Sequence, residues 1–251
     1  MGSDLLRPGD YQVLPEAEQE ALCQEILAEV RAGRFKPAGK SSRGHWNDVW
    51  SKQNVIPPFL RPADVLRING QFVRPNNKWL ELSWYLMFRQ SLLERYFEST
   101  NAIYEFGCGN GWNLMAAQLL YPEKRLMGLD WAKSAIDRLP PQIRGQVFDF
   151  FRPDHDLKLA PGSGVWIVGA MEQTGNNWWP FLEYLLANKP AICVHLEPIL
   201  EWYDPENPVD RTAIEYHLAR NYWRGFPAKL RQLVTQGKAE IIHQQRSWFG
   251  S

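Results

Sequence analysis

The chain is poor in cysteine. Cys23, Cys108 and Cys193 are an odd number, widely spaced, so they form neither a disulfide framework nor a metal-binding spacing. They read as small buried hydrophobes. Charge of one sign is missing as well. Lys plus Arg equals Asp plus Glu at 28 each, and no charge run stands out. Nucleic-acid backbones and anionic membranes usually demand a basic surface, so neither is expected as the main partner. No apolar run approaches the ~20 residues that cross a bilayer, and no basic, then apolar, leader opens the chain. The expectation is a cytosolic, cytoplasmic protein. Met1-Gly2-Ser3 is set aside from the fold reading. What is present is a 45% apolar composition over 251 residues, enough for one α/β domain with an attached cap, or for two small units.

The stretch around which the rest is organised is Ala102-Ile103-Tyr104-Glu105-Phe106-Gly107-Cys108-Gly109-Asn110-Gly111-Trp112-Asn113-Leu114. An apolar β-branched run ends at Glu105, three alternate glycines follow, and a helical pattern begins at Asn113. This is a strand, a tight turn and a helix N-terminus, the opening of a βαβ nucleotide-binding unit. Glycines supply backbone angles that a Cβ forbids and let a ligand lie on the main chain. The dinucleotide fingerprint wants its third glycine where Trp112 stands, which disfavours a Rossmann oxidoreductase.

An acid two places before the first glycine, then Gly-x-Gly-x-Gly, resembles motif I of the class I S-adenosylmethionine (SAM) methyltransferases. Arg125-Leu126-Met127-Gly128-Leu129-Asp130 continues the resemblance as a second strand ending in an acid 19 residues after Gly111. Gln146-Val147-Phe148-Asp149-Phe150 is a third. The resemblance implies a doubly wound, mostly parallel Rossmann-like α/β sheet with helices on both faces. It implies SAM as cofactor and S-adenosylhomocysteine (SAH) as product. It also assigns a cofactor set: Glu105, Gly107, Cys108, Gly109, Asn110, Gly111 and Asn113 around the turn, Asp130 and Trp131 for the ribose and its neighbourhood, Asp149 and Phe150 for the adenine, and Met171.

Taken in order, residues 15–33 read as a helix with Leu22, Ile26 and Val30 on one stripe. Residues 37–62 look irregular, punctuated by Pro37, Gly39, Gly44, Pro57, Pro58 and Pro62, and carry His45-Trp46-Asn47-Asp48-Val49-Trp50. Asn69-Gly70 between alternating runs is a two-residue hairpin turn. Lys78 to Glu98 reads as a long helix. Residues 1–100 are therefore expected to be an N-terminal cap of helix, aromatic loop, hairpin and long helix. Residues 101–251 are expected to be the SAM-binding core, with an aromatic substrate segment around 197–225. Further strands are read at 165–168, 191–196 and 239–247, and helices at about 178–187 and 209–236. That makes six strands; a seventh is either absent or replaced at an edge by the hairpin.

Ligands of open α/β sheets lie beyond the carboxyl ends of the strands. The resemblance places Met171, Glu172 and Gln173, after the fourth core strand, beside the methylsulfonium and acceptor. Methyl transfer needs a base only for a protonated nucleophile. Glu172, Glu197, His195 and His45 are the candidates, although His195 alternates with Leu196 and also reads as a core histidine. Trp46, Gln173, Tyr203, His217, Arg220 and Asn221 combine aromatic planes with hydrogen-bonding groups suited to a small polar acceptor. The acid and histidine residues show no metal-ligand spacing, so no metal is expected. The expected activity is O- or N-methylation of a small or medium polar acceptor, a saccharide or other metabolite. Protein or peptide methylation and a non-catalytic SAM-binding subunit are the alternatives.

Overall fold

The computed structural model describes residues 6–7, 9–52, 56–57 and 59–250. Met1-Gly2-Ser3 and the expected breaker Pro58 lie outside them. The chain divides into two compact units, one of residues 1–37, 59–88 and 199–251, the other of residues 38–58 and 89–198. This partition cuts across the expected boundary at residue 100, because pieces from both ends of the chain build the first unit.

The second unit is the parallel α/β body. Its strands are β4 (Ala102–Phe106), β5 (Arg125–Asp130), β6 (Arg144–Val147), β7 (Gly164–Val168) and β8 (Ile192–Leu196), in the order β6-β5-β4-β7-β8. Every pair is parallel. The chain moves outward from β4 in one direction through β5 and β6, then returns to continue through β7 and β8. This reversal is the switch point of a doubly wound sheet, where ligands bind. In such a sheet, right-handed crossovers put helices on both faces. The connecting helices are α4 (Trp112–Leu120), α5 (Lys133–Ile136) and α6 (Trp179–Asn188). β4 is buried along its whole length, as expected of a central strand covered on both sides. One core gathers Leu93, Phe97, Ile103, Leu114, Leu126, Ile143 and Trp166. An aromatic cluster of Phe106, Phe148, Phe150, Phe181 and Tyr184 forms another.

The first unit holds β1 (Tyr11–Val13), β2 (Leu66–Ile68), β3 (Gln71–Pro75) and β9 (Phe249–Gly250) in the antiparallel order β1-β3-β2-β9. The β2–β3 turn has Asn69 at φ 52° and Gly70 at φ 74°, the left-handed pair that Asn-Gly tolerates best. Helices α1 (Glu16–Arg31), α7 (Pro208–Ala219) and α8 (Phe226–Thr235) belong here. Leu14, Cys23, Phe72 and Val209 form its core. Helix α3 (Leu80–Phe97) gives its residues up to Phe88 to this unit and those from Arg89 to the other.

Four expectations need correction. Residues 37–62 are not wholly irregular, because α2 (Arg43–Ser51) forms there. Its Trp46, Val49 and Trp50 share one face and pack on Trp131, Ala132 and Ala135. The stretch 209–236 is two helices, interrupted where Asn221 and Gly225 take φ 51° and 80°. Residues 239–247 form no strand; the last pairing is β9 with β2, fixed by Phe249 stacked 4.4 Å from Trp84. The hairpin is hydrogen-bonded in its own sheet, and the core sheet has five strands.

Candidate functional site

The turn after β4 is built as the glycines demand. Gly107, Gly109 and Gly111 sit at φ 76°, 52° and 76°. A Cβ on Gly107 would lie 2.2 Å from the Ala170 side chain, and one on Gly109 would lie 2.4 Å from the Trp50 ring. The glycines are needed both for conformation and for close approach. The Gly107 and Cys108 N–H groups donate to the Leu129 carbonyl at 2.7 and 3.1 Å. Cys108 itself faces inward, buried in the core, where burial raises its thiol well above the usual range.

Two acids brace the turn. Asp130, at the end of β5, is 6% exposed. Its Oδ2 accepts from Gly109 N–H at 3.0 Å and its Oδ1 from Ala132 N–H at 2.8 Å. Burial raises its carboxyl to about 6, against the pull of those backbone donors. Glu105 is 1% exposed. Its Oε1 accepts from Asn113 Nδ2 at 2.7 Å, while Oε2 is buried with no hydrogen-bond partner. Burial raises it to about 8, despite the Asn113 hydrogen bond and the Arg89 charge. Asn113, at the start of α4, is therefore a brace for Glu105; Asn110 is half-buried in the turn between them.

The third strand end behaves differently from expectation. Phe150 turns into the aromatic core, and it is Phe151 that pairs with Trp131, ring centroids 5.9 Å apart. Asp149 Oδ1 accepts from Phe151 N–H at 2.8 Å. A cavity of about 320 Å³ is lined by Lys40, Arg43, Trp131, Asp149, Phe151 and Arg152.

After β7 the chain makes a 3-10 turn, Met171–Thr174. Met171 is fully buried and Glu172 is 4% exposed. Glu197 clamps this turn: its Oε1 accepts from Ala170 N–H at 3.0 Å and Met171 N–H at 3.1 Å, and its Oε2 from Glu172 N–H at 3.2 Å. A carboxylate with three backbone donors is committed to holding the loop. Burial, then the charge and hydrogen bond of Glu197, raises Glu172 well above the usual carboxyl range. Trp46 Nε1 donates to Gln173 Oε1 at 2.8 Å. His45 is exposed on α2, its ring 5.4 Å from that of Trp46. His195, half-buried on the edge strand β8, is held neutral because burial lowers it to about 4.

The remaining four predicted residues belong to the first unit. Tyr203 accepts at 3.4 Å from Arg67, and the Arg246 guanidinium stands 4.7 Å from its ring. His217 is 5% exposed on α7, 5.1 Å from Tyr203, and is lowered to about 4 by burial and then by the Arg67 charge. Arg220 donates to the Lys36 carbonyl at 2.7 Å. Asn221 lies beyond the end of α7 at positive φ.

Sequence reasoning missed Trp50, Lys40, Arg43, Phe151 and Arg152. The signal for Trp50 was its i+4 spacing from Trp46, legible only once 43–51 is taken as a helix. Among the described residues no group of three His, Cys, Asp or Glu is arranged for a metal ion. No helix there is long and apolar enough to cross a membrane.

No family model matches the chain, and no curated protein does. Among solved structures it is similar to the plantazolicin methyltransferase BpumL in complex with a monoazolic desmethylPZN analog and SAH, at 13% identity over 87% of this chain and 79% of that one, TM-score 0.47. With the pentazolic analog the match is 16% identity over 59% and 60%, TM-score 0.41. It is also similar to LepI in complex with SAM, at 17% identity over 59% of this chain and 41% of that one, TM-score 0.39. Likenesses this distant carry no weight for the chemistry, which rests on the residues themselves.

Proposed function

We propose that the protein is a SAM-dependent methyltransferase acting on oxygen or nitrogen of a small or medium polar acceptor, a saccharide or other metabolite. The observation that carries this reading is the left-handed glycine turn after the central strand, braced by Glu105 behind it and by Asp130 at the next strand end. The residues fit the cofactor. The turn offers bare main chain, Glu105 keeps a buried oxygen without a partner, and the Asp130 oxygens have acceptor capacity beyond their backbone donors. Trp50 covers Gly109, so a ligand lying on the turn must share or take that face. SAM supplies an electrophilic methyl group on a sulfonium.

The protein's own contribution is alignment, which does most of the work in an in-line displacement. Glu197 fixes the loop that carries Met171, Glu172 and Gln173. Glu172, on that loop, then serves as base in the fraction that has lost its proton. The reading places the protein in the cytosol, where buried thiols such as Cys23 and Cys108 stay reduced.

Calorimetry with SAM, SAH and NAD tests the cofactor. Binding of SAM and SAH but not NAD is expected, and binding of NAD alone overturns the reading. A tritiated-methyl screen of metabolite pools then separates a catalyst from a non-catalytic SAM-binding subunit, and label in protein would instead favour a peptide acceptor. Glu172→Gln isolates the base: at least a hundredfold loss of kcat is expected, with SAM affinity nearly unchanged. Retention of more than about a third of kcat removes Glu172 from that role and leaves it to His45, His195 or His217, or to alignment alone.

A further inference from the structure

The 320 Å³ cavity beside Trp131 holds more positive charge than SAM can use. Lys40, Arg43 and Arg152 face one carboxylate, Asp149. None of the three cations is neutralised tightly among the described residues. Arg152 stands 3.9 Å from Asp149 with its side chain 82% exposed. Arg43 spends its Nε on the Trp131 carbonyl at 3.1 Å, leaving its terminal N–H groups for another acceptor. Lys40 Nζ lies 5.3 Å from the centre of the Phe151 ring. The adenosine end of SAM carries no anion, so these charges are idle toward it. A phosphate answers them directly, because a guanidinium fork binds it with two parallel charge-assisted hydrogen bonds.

The rest of the lining sets the size and shape of the ligand. Trp131 and Phe151 form a tilted aromatic pair, ring planes 34° apart, a surface on which a planar base stacks. Asp149 uses Oδ1 on the Phe151 N–H, and its remaining lone pairs accept from a ring amino group. Inorganic phosphate alone would leave most of the volume to water. A ring plus sugar plus phosphate is of the right size for a pocket at the small end of the ligand-site range.

We propose that this cavity binds a nucleoside monophosphate with an amino-bearing base, its phosphate on Lys40, Arg43 and Arg152. The proposal does not depend on SAM being the cofactor; because the resemblance gives Asp149 and Trp131 to the adenosine of SAM, the nucleotide and SAM compete for this cavity. The test is equilibrium dialysis at low salt with AMP, CMP, adenosine, cytidine and inorganic phosphate, with SAM measured on the same preparation. At least one nucleotide should bind tenfold or more tighter than its nucleoside and than phosphate alone. Lys40→Ala/Arg152→Ala, both on exposed side chains, should erase the advantage over the nucleoside and leave nucleoside affinity unchanged. Circular dichroism confirms that the variant is folded; should it fail to fold, rising salt must abolish the same advantage in the unaltered protein. Equal binding of nucleotide and nucleoside, equal binding of phosphate alone, or an advantage that survives the double substitution and salt overturns the proposal. A protein that binds AMP but not SAM refutes the methyltransferase reading and leaves this one standing; the converse result does the opposite.

Discussion

Two buried aspartates, one in each unit, are solvated in opposite ways. Asp130 accepts from backbone N–H groups, those of Gly109 and Ala132 among them, and pairs with no cation among the described residues, and burial raises its carboxyl to about 6. Asp210, fully buried in α7, takes a bidentate pair from Arg246 at 2.7 and 2.5 Å and the Asp204 N–H at 2.9 Å. Burial pushes it up too, but the Arg246 hydrogen bonds, the Asp204 N–H and the charges of Arg246 and Arg67 together bring it below its ordinary value. Burial alone therefore does not decide ionisation; the presence of a counter-charge does. A locked ion pair suits a scaffold, whereas an acid left short of cations suits a place where a ligand arrives.

Breaking the paired side should have the largest effect. Arg246→Met leaves a buried, uncompensated Asp210 and should cost about 3–5 kcal/mol, read as a lowered melting temperature. A loss under about 1 kcal/mol would show that Asp210 does not rely on that partner. The next effect depends on pH. Glu105 is raised from 4.5 to about 8, so the folded state holds its proton more tightly than the unfolded chain does. Its contribution is complete below pH 4.5 and is lost as pH rises through 8, at up to about 1.4 kcal/mol per pH unit for one proton. Glu105→Gln should melt like the parent at pH 4 and higher than it at pH 8. Asp210 acts in reverse, its lowered pKa giving stability that is lost as pH falls below its ordinary value of 3.8.

Asp130→Asn sharpens the contrast at smaller size. An amide NH₂ then meets one of the N–H donors, a cost of roughly 1–3 kcal/mol in stability. SAM affinity should fall tenfold or more through the lost ionised acceptor; unchanged affinity in the folded variant would remove Asp130 from the cofactor site. The smallest effect is expected where both partners are wet. Lys133 and Asp137 pair at 2.5 Å but are 73% and 56% exposed. Lys133→Ala should change stability by no more than about 0.5 kcal/mol.

The parallel body was legible because its strands are apolar, short and punctuated. The expectations at 125–130, 165–168 and 191–196 lie within a residue of β5, β7 and β8. The glycine turn announced itself by backbone need, and so did Asn69-Gly70. What stayed hidden depends on contacts distant in sequence. Residues 43–51 are a nine-residue helix containing Gly44 and flanked by breakers, and their stability comes from Trp131, Ala132 and Ala135 rather than from propensity. β9 is two residues long, beyond any periodicity. The site shows the same division. Asp130 and Glu105 follow from spacing, while the turning of Phe150 inward and Phe151 toward the cavity depends on how Phe106 and Phe181 pack. The commitment of Glu197 to three backbone donors is equally invisible in one dimension.

The Trp46–Trp50 pair also makes the site its own optical probe. The two indoles lie 6.4 Å apart with ring planes at 24°, close enough for their electronic transitions to couple. Such a pair should give a signed doublet in the far-ultraviolet circular dichroism spectrum, where the indole transition is strongest, that single tryptophans do not. Trp50 rests on Gly109 and Trp46 on Gln173, so any ligand that lifts one ring off the turn alters the coupling geometry. A change in amplitude on adding ligand would then report occupancy of the turn in unlabelled protein, and Trp46→Phe should remove this pair's share of the signal, leaving that of Trp178 and Trp179, 6.2 Å apart.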